Sequence, residues 1–214
     1  MTVQTLVPDR RAALKARYRE AILDAADSLI RERGKPRFSV EELSERADVS
    51  RRTVFNHFSS LDDVIIITCT RVLSRVVDEF RAATAATPVG DGTLVTLFSD
   101  ITSAVRDIDL PTVVAYLWGV LGDDSQDGRS QHPLDEVFTR ATDRLSLEIA
   151  DRNSEIEAFE VAVLVSSLMN GVAVVSAHWI ALTGATLDDA SRAVWDDLLD
   201  RLIVTIRAGY SPTT

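Results

Sequence analysis

The stretch FSVEELSERADVSRRTVFNHF, at Phe38–Phe58, constrains the fold of this chain more than any other. Ser39 and Glu42 stand three residues apart, the spacing of a capping box at the start of a helix. Ser50 is placed to cap a second helix. Asp48 lies between the two, at a turn position where Asp tolerates the left-handed conformation better than most residues. The stretch therefore predicts two short helices joined by a tight turn, a helix-turn-helix.

The second helix of this pair has one apolar and one polar side. Val54 and Phe58 lie four residues apart and predict the buried side. The opposite side carries cations and hydrogen-bond donors of the kind that read DNA, namely Arg51, Arg52, Thr53, Asn56 and His57. The two arginines oppose the helix dipole at the first turn, a local mismatch that favours a functional interpretation.

Charge is unevenly distributed along the chain. Residues 1–58 carry 12 Lys and Arg and 9 Asp and Glu, a net charge of +3. Residues 59–214 carry 11 and 24, a net charge of −13, which gives the whole chain its −10. A mildly basic head concentrates any attraction for phosphates in the first 58 residues, whereas the acidic remainder repels DNA.

The sequence gives little support to secretion or membrane insertion. Cys69 is the only cysteine, so no intrachain disulfide can form and a reducing compartment fits. The first eleven residues hold no apolar signal sequence, and we expect a cytoplasmic protein. Val161–Leu187 is uncharged and long enough to span a bilayer, but it contains Ser, Asn, His and Thr and is flanked by acids. We interpret it as a helix that protein covers on most sides.

An enzymatic function is not expected. His57, His132 and His178 lack the spacing of metal ligands, and Cys69 has no His nearby in the sequence. The chain has no Gly-rich phosphate loop and no arguable Ser-His-Asp arrangement. We therefore predict no metal, no cofactor and no catalytic residue.

The periodicity predicts an all-α fold of about nine helices, with a head at residues 1–58 and a body at residues 59–214. Met1–Asp9 is predicted to be a frayed arm, Pro88–Gly92 a break, and Gly122–Pro133 a mobile polar loop. Besides the two short helices, the predicted helices are Arg10–Arg33, Leu61–Ala86, Leu94–Ile108, Pro111–Gly122, Leu134–Asp151, Ser154–Thr183 and Leu187–Ala208.

The last two predicted helices are unusually apolar. The helix at Ser154–Thr183 is apolar nearly all round, so it must be covered on all sides. A second copy of the same helix pair is the simplest cover and gives a four-helix homodimer interface. The core of a monomer is the alternative. The apolar stripe of the final helix is expected at Ala190, Val194, Leu198, Leu202 and Ile206, widened by Leu199 and Ile203.

A long first helix ending at Arg33-Gly34, then FSVEELSERADVSRRTVFNHFSSLDDVI, then an acidic helical body, resembles the TetR family of bacterial transcriptional repressors. The specific part of the resemblance covers Arg19–Ile65. It implies a homodimer that places two recognition helices about 34–36 Å apart in successive major grooves of a palindromic operator. It also implies that a small molecule in the body favours a conformer with a different spacing, and so weakens DNA binding.

The resemblance assigns phosphate contacts to Ser39 and His57, although a plain helix cap and a surface histidine remain alternatives. Arg10, Arg11 and Lys15 are either an arm that reaches an adjacent groove or a solvated charge run. Three positions depart from the family pattern: Phe55 replaces the commonest tyrosine, Leu61 a frequent lysine, and Asp48 the usual turn glycine. The expected DNA-contacting residues are Ser39, Ser50, Arg51, Arg52, Thr53, Phe55, Asn56 and His57.

The resemblance also implies an effector pocket in the body, although aromatic and polar residues on apolar helices also serve as core or dimer interface. Two other functions stay open: a helical protein-interaction module, and a DNA-binding dimer that has no small-molecule effector. The candidate pocket residues are Tyr116, Trp118, Phe138, Met169, Asn170, His178 and Trp179.

Overall fold

The described residues of the computed structural model, 10–86, 93–121 and 132–209, form nine α-helices and no strand. This confirms the predicted all-α fold. The helices are α1 Arg10–Arg33, α2 Val40–Arg46, α3 Arg51–His57, α4 Leu61–Ala86, α5 Leu94–Asp107, α6 Leu110–Leu121, α7 His132–Arg152, α8 Ala158–Thr183 and α9 Asp189–Gly209.

Four helix starts differ from the sequence prediction, by one residue in α6, by two in α7 and α9, and by four in α8. α8 begins at Ala158 and not at Ser154, because the chain first makes a turn in which the Ile156 N–H donates to the Asn153 carbonyl at 2.9 Å. That turn inserts the Ile156 side chain into the core of the body. α7 begins at His132, two residues before the predicted start, with a proline in its first turn where the missing N–H costs nothing.

Several predicted features lie outside the described residues. They are the arm at Met1–Asp9, the break at Pro88–Gly92, and the first ten residues of the polar loop at Gly122–Pro133.

The chain divides into two compact units, Met1–Cys69 and Thr70–Thr214. We call them the head and the body. The division falls inside α4, which begins in the head and ends in the body. The sequence placed the boundary after Phe58, just before this helix; the assignment of a function to each part stays a prediction.

The core of the head is built by α1 against the helix-turn-helix and the start of α4. The apolar stripe of α1 is buried, with Ile22 and Ala26 fully inaccessible. Leu43 of α2, Val54 of α3 and Val64 of α4 close the same cluster. This packing fixes α3 from one side and leaves its other side at the surface. The further members of the cluster are Leu23, Ala25, Leu29, Ala47 and Phe58.

Ion pairs tie α1 to α2 at the surface of the head. The Arg33 guanidinium donates to the Glu42 carboxylate at 2.7 Å. Arg46 pairs with Glu32 at 2.5 Å and donates to the Ser28 hydroxyl at 2.8 Å. These contacts are exposed, so each is expected to contribute little on its own, but together they fix the approach of the two helices.

Replacing Glu42 with Gln is expected to destabilise the head at neutral pH and to change it little in acid. Hydrogen bonding from Arg33, with help from the Ser39 N–H, lowers the pKa of Glu42 from 4.5 to about 2. The carboxylate therefore contributes stability above about pH 4.5, and this contribution is lost as the pH falls toward about 2. Glutamine can keep the capping-box bond but not the charge.

Amide hydrogen exchange in α1 and α2 would report this difference for the head separately from the body. The gap in protection between wild type and Glu42→Gln should be large at about pH 7 and should narrow at about pH 3. A gap of the same size at both values would show that the charge of Glu42 does not stabilise the head.

The body has its own core, to which α4, α5, α7, α8 and α9 contribute. α5 buries one continuous side, which includes Leu97, Phe98 and Ile101. α8 buries Val161, Leu164, Val165 and Leu168 in the same cluster, where Leu145, Ile149, Leu199 and Ile203 also lie. Arg81 of α4 donates to Glu148 of α7 at 2.6 Å at the edge of this cluster.

A second cluster in the body is centred on two tryptophans. Trp179 of α8 is fully buried and meets Trp195 of α9 edge-to-face, with ring centroids 5.5 Å apart. The indole N–H of Trp179 donates to the Ser191 carbonyl at 2.8 Å. The buried residues of α9 are Ser191, Trp195, Leu199 and Ile203. Leu199 and Ile203 were predicted to widen the apolar stripe, but the buried line lies one position after the predicted central line that starts at Ala190.

α8 is the helix that the sequence flagged as long and apolar enough to cross a membrane, and its length and composition do meet that test. In the structure it packs within the body, where 33% of its most apolar 18-residue stretch is buried. The remaining side is uncovered in the single chain, so cover on most sides requires a partner, and the prediction that protein covers most of this helix stays a prediction. Val174 and Leu182 lie on this uncovered side.

Candidate nucleic-acid interface

Both helices of the helix-turn-helix begin at capped ends. The Ser39 hydroxyl accepts from the Glu42 N–H at 3.2 Å, and the Glu42 carboxylate accepts from the Ser39 N–H at 2.8 Å. Ser50 caps α3 by accepting from the Thr53 N–H at 3.1 Å. Asp48 has a φ of 52°, the left-handed conformation predicted for the turn. The local chemistry thus fixes where α3 starts and in which direction it runs.

The two sides of α3 differ as the sequence predicts. Val54 and Phe58 are buried against the head core. On the opposite side, Arg51, Arg52 and Asn56 are exposed, and the aromatic ring of Phe55 is 54% exposed. Thr53 and His57 are half-buried at the edges. The structure therefore brings the predicted DNA-contacting residues of α3 onto one accessible surface, with Ser39 and Ser50 at the ends of the adjoining helices.

The Arg51 guanidinium pairs with the Glu41 carboxylate in the first turn of α2. Sequence reasoning did not single out Glu41, since nothing local relates residues ten positions apart on two helices. The pKa of Glu41 is lowered, first by its own backbone N–H and then by Arg51. Arg52 and Asn56 have no such partner among the described residues.

The carboxyl end of α3 is held by α1. Arg19 donates to the His57 carbonyl at 3.3 Å, and its guanidinium lies 4.6 Å from the centre of the Phe58 ring. The pKa of His57 is lowered, mainly by burial and also by the nearby Lys15 and Arg19 cations. This lowering favours the neutral imidazole, which keeps one N–H donor.

The candidate pocket residues do not share one environment. Tyr116 and Met169 are half-buried, and Trp118 is 43% exposed. Asn170 and His178 lie exposed on α8, where Asn170 donates to the Ser166 carbonyl at 2.9 Å. Phe138 lies in α7, but its side chain is outside the described part of the structure. Trp179 belongs to the buried core.

Residues 22–66 match the family model described as bacterial regulatory proteins of the tetR family. This range covers α2, α3 and the parts of α1 and α4 that pack on them. This match assigns the head, with its capped helix-turn-helix, to the TetR family of bacterial regulatory proteins.

Two solved structures resemble the chain over most of its length. One is a TetR-family transcriptional regulator from Mesorhizobium loti MAFF303099, 16% identical, with a TM-score of 0.61 over 89% of this chain and 97% of that one. The other is a transcriptional regulator from Pseudomonas aeruginosa PAO1, 20% identical, with a TM-score of 0.52 over 96% and 94%. Both likenesses establish the fold. A comparison with curated proteins finds no match.

Proposed function

We propose that this TetR-family protein is a cytoplasmic, homodimeric repressor that binds a palindromic operator and releases it on binding a small apolar effector. The observation that carries the proposal is the exposed side of α3, where Arg51, Arg52 and Asn56 are accessible while Val54 and Phe58 anchor the helix. No metal, cofactor or catalytic step is part of this function.

Base reading is assigned to the amino-terminal turn of α3. An arginine there can bond the O6 and N7 atoms of a guanine, which contributes about 1–3 kcal/mol of discrimination against another base. Asn56 lies one to two turns further along the same side and suits adenine or a phosphate. Ser39, Ser50, Thr53 and His57 supply hydroxyl and N–H donors that would fix the register on the backbone.

Dimerisation is assigned to α8 and α9. Val163, Val174 and Leu182 of α8 are exposed in the single chain, and so is Val204 of α9. A helix with this composition is stable in water only if another surface covers it. A second copy of the same helix pair would do so with two-fold symmetry, the symmetry that a palindromic operator requires.

The effector-binding pocket is the most specific part of the proposal. Tyr116, Trp118 and Met169 come from α6 and α8, whereas Asn170 and His178 lie on the uncovered side of α8. This placement favours the three α6 and α8 residues for a pocket within one protomer, and Asn170 and His178 for the dimer interface. A regulator whose body only dimerises is the competing possibility.

The DNA-binding proposal is tested by salt titration on a duplex that the full-length protein selects from a random-sequence library. Affinity should fall steeply between about 50 mM and about 200 mM salt, because phosphate contacts release counterions. Arg52→Ala should cost about 1–3 kcal/mol at one base pair and relax the preference there.

Arg31→Ala is the matched control, since it removes the same charge from α1 of the same unit, where Arg31 pairs with Asp27. It should leave base preference unchanged. If Arg52→Ala instead weakens binding equally on every sequence, Arg52 contacts the backbone. Failure to select any preferred duplex would support the protein-interaction module.

A further inference from the structure

Glu41 is an acid at the edge of a surface that should attract phosphates. It is exposed in the first turn of α2, and its carboxylate accepts a hydrogen bond from the Nη1 atom of Arg51 across the turn between α2 and α3. A negative charge at this position weakens sequence-independent attraction to DNA. Its presence beside one of the two arginines proposed to read bases therefore calls for a compensating role.

We propose that Glu41 is a positioning residue that holds the Arg51 guanidinium for base recognition and so determines specificity at one base pair. The inference rests on the proposed DNA-reading function of α3. Arginine has five N–H donors in a rigid planar fork. A carboxylate that engages one edge of this fork orients the whole plane and leaves other donors available for a guanine.

An arginine that is already oriented loses less conformational freedom when it binds, so it discriminates better between the correct and the wrong base. The carboxylate also disfavours binding to a wrong sequence. If Arg51 does not bond its base, the repulsion between Glu41 and the DNA phosphates remains and no base contact offsets it. Glu41 would thus lower non-specific affinity and sharpen specific binding, two effects that favour one sequence over all others.

The other acids of α2 do not share this geometry. Glu42 completes the capping box and pairs with Arg33 of α1. Glu45 is exposed, and its carboxylate has no ion pair or hydrogen bond with the described residues. Glu45→Ala therefore removes the same unit of charge from the same helix without touching Arg51, which makes it a matched control for Glu41→Ala.

The experiment measures dissociation constants of the full-length protein for its selected duplex and for each single base-pair substitution of that duplex. Arg51→Ala first identifies the base pair that Arg51 reads. Glu41→Ala should reduce discrimination at that same base pair several-fold to about tenfold, and Glu41→Gln, which can still accept from Arg51, should restore part of it. Both Glu41→Ala and Glu45→Ala should tighten binding to a scrambled duplex by a similar factor.

The double variant Glu41→Ala, Arg51→Ala decides whether Glu41 acts through Arg51. A positioning role predicts that removing Glu41 has no further effect on discrimination once Arg51 is absent. An additive loss would mean that Glu41 contacts a base itself and would overturn the inference, as would a Glu41→Ala protein that discriminates like Glu45→Ala. If the wild-type protein selects no preferred duplex, the proposed function fails before Glu41 is tested.

Discussion

A single charged substitution on the uncovered side of α8, Val174→Asp, is expected to produce a folded monomer that has lost its affinity for the operator. Val174 is 57% exposed in one chain, so the aspartate is solvated and the protomer keeps its fold. In a two-fold interface the substitution occurs twice, and each carboxylate would lose water without gaining a partner. That cost opposes association directly.

Loss of the dimer should have a large effect on DNA binding. In a dimer the second head binds its half-site as an intramolecular event, which typically strengthens overall binding by about 10²–10⁴ over a single head. Sedimentation equilibrium would measure the assembly state, and gel shift on the selected duplex would measure affinity. We expect both to change together.

Val95→Asp is the matched control, because Val95 is 67% exposed on α5 and the change is chemically identical. It should leave both the dimer and the affinity intact. If Val174→Asp remains dimeric and binds DNA as the wild type does, the interface does not include this side of α8, and the assignment of dimerisation to α8 and α9 is wrong.

The sequence predicts the head well because its signals are local. The capping box of Ser39 and Glu42, the cap at Ser50 and the left-handed turn at Asp48 are set by residues within a few positions of each other. The spacing of Val54 and Phe58 then determines which side of α3 is buried. A long first helix with one apolar stripe completes the arrangement without further information.

The body is predicted less well because its details depend on side chains that meet across helices. Every fourth residue of α9 from Ala190 is apolar, yet the buried line runs through Trp195, whose size gives it the central position beside Trp179. The periodicity permits either line, since the line from Ala190 and the line from Ser191 lie one residue apart on the same broad apolar side. Only packing distinguishes them.

The pairing of Glu41 with Arg51 is another case of this kind. Many opposite charges lie about ten residues apart in the chain, and the angle between α2 and α3 decides which of them meet. The late start of α8 has the same origin, because the turn that precedes this helix places Ile156 in the core of the body. Neither feature has a local sequence signal.

The largest effect on stability is expected from Trp179→Ala in the body. Trp179 is fully buried, and removing a buried aromatic side chain of this size typically costs about 3–5 kcal/mol, because the surrounding structure only partly fills the cavity. The substitution also deprives Trp195 of its edge-to-face partner and the Ser191 carbonyl of the indole donor. Each loss adds to the cost of the cavity.

Urea denaturation should therefore show a much lower free energy of unfolding for the body of Trp179→Ala, with a smaller loss for Trp179→Phe, which keeps a ring but not the N–H. Trp118→Ala is the matched control, since this tryptophan is 43% exposed and its removal leaves no comparable cavity. Surface changes of that kind usually stay within about 0.5 kcal/mol. Equal losses for Trp179→Ala and Trp118→Ala would refute the view that the tryptophan pair anchors α8 to α9. With Trp118 removed, the fluorescence comes only from Trp179 and Trp195, so the same variant follows the unfolding of this cluster directly.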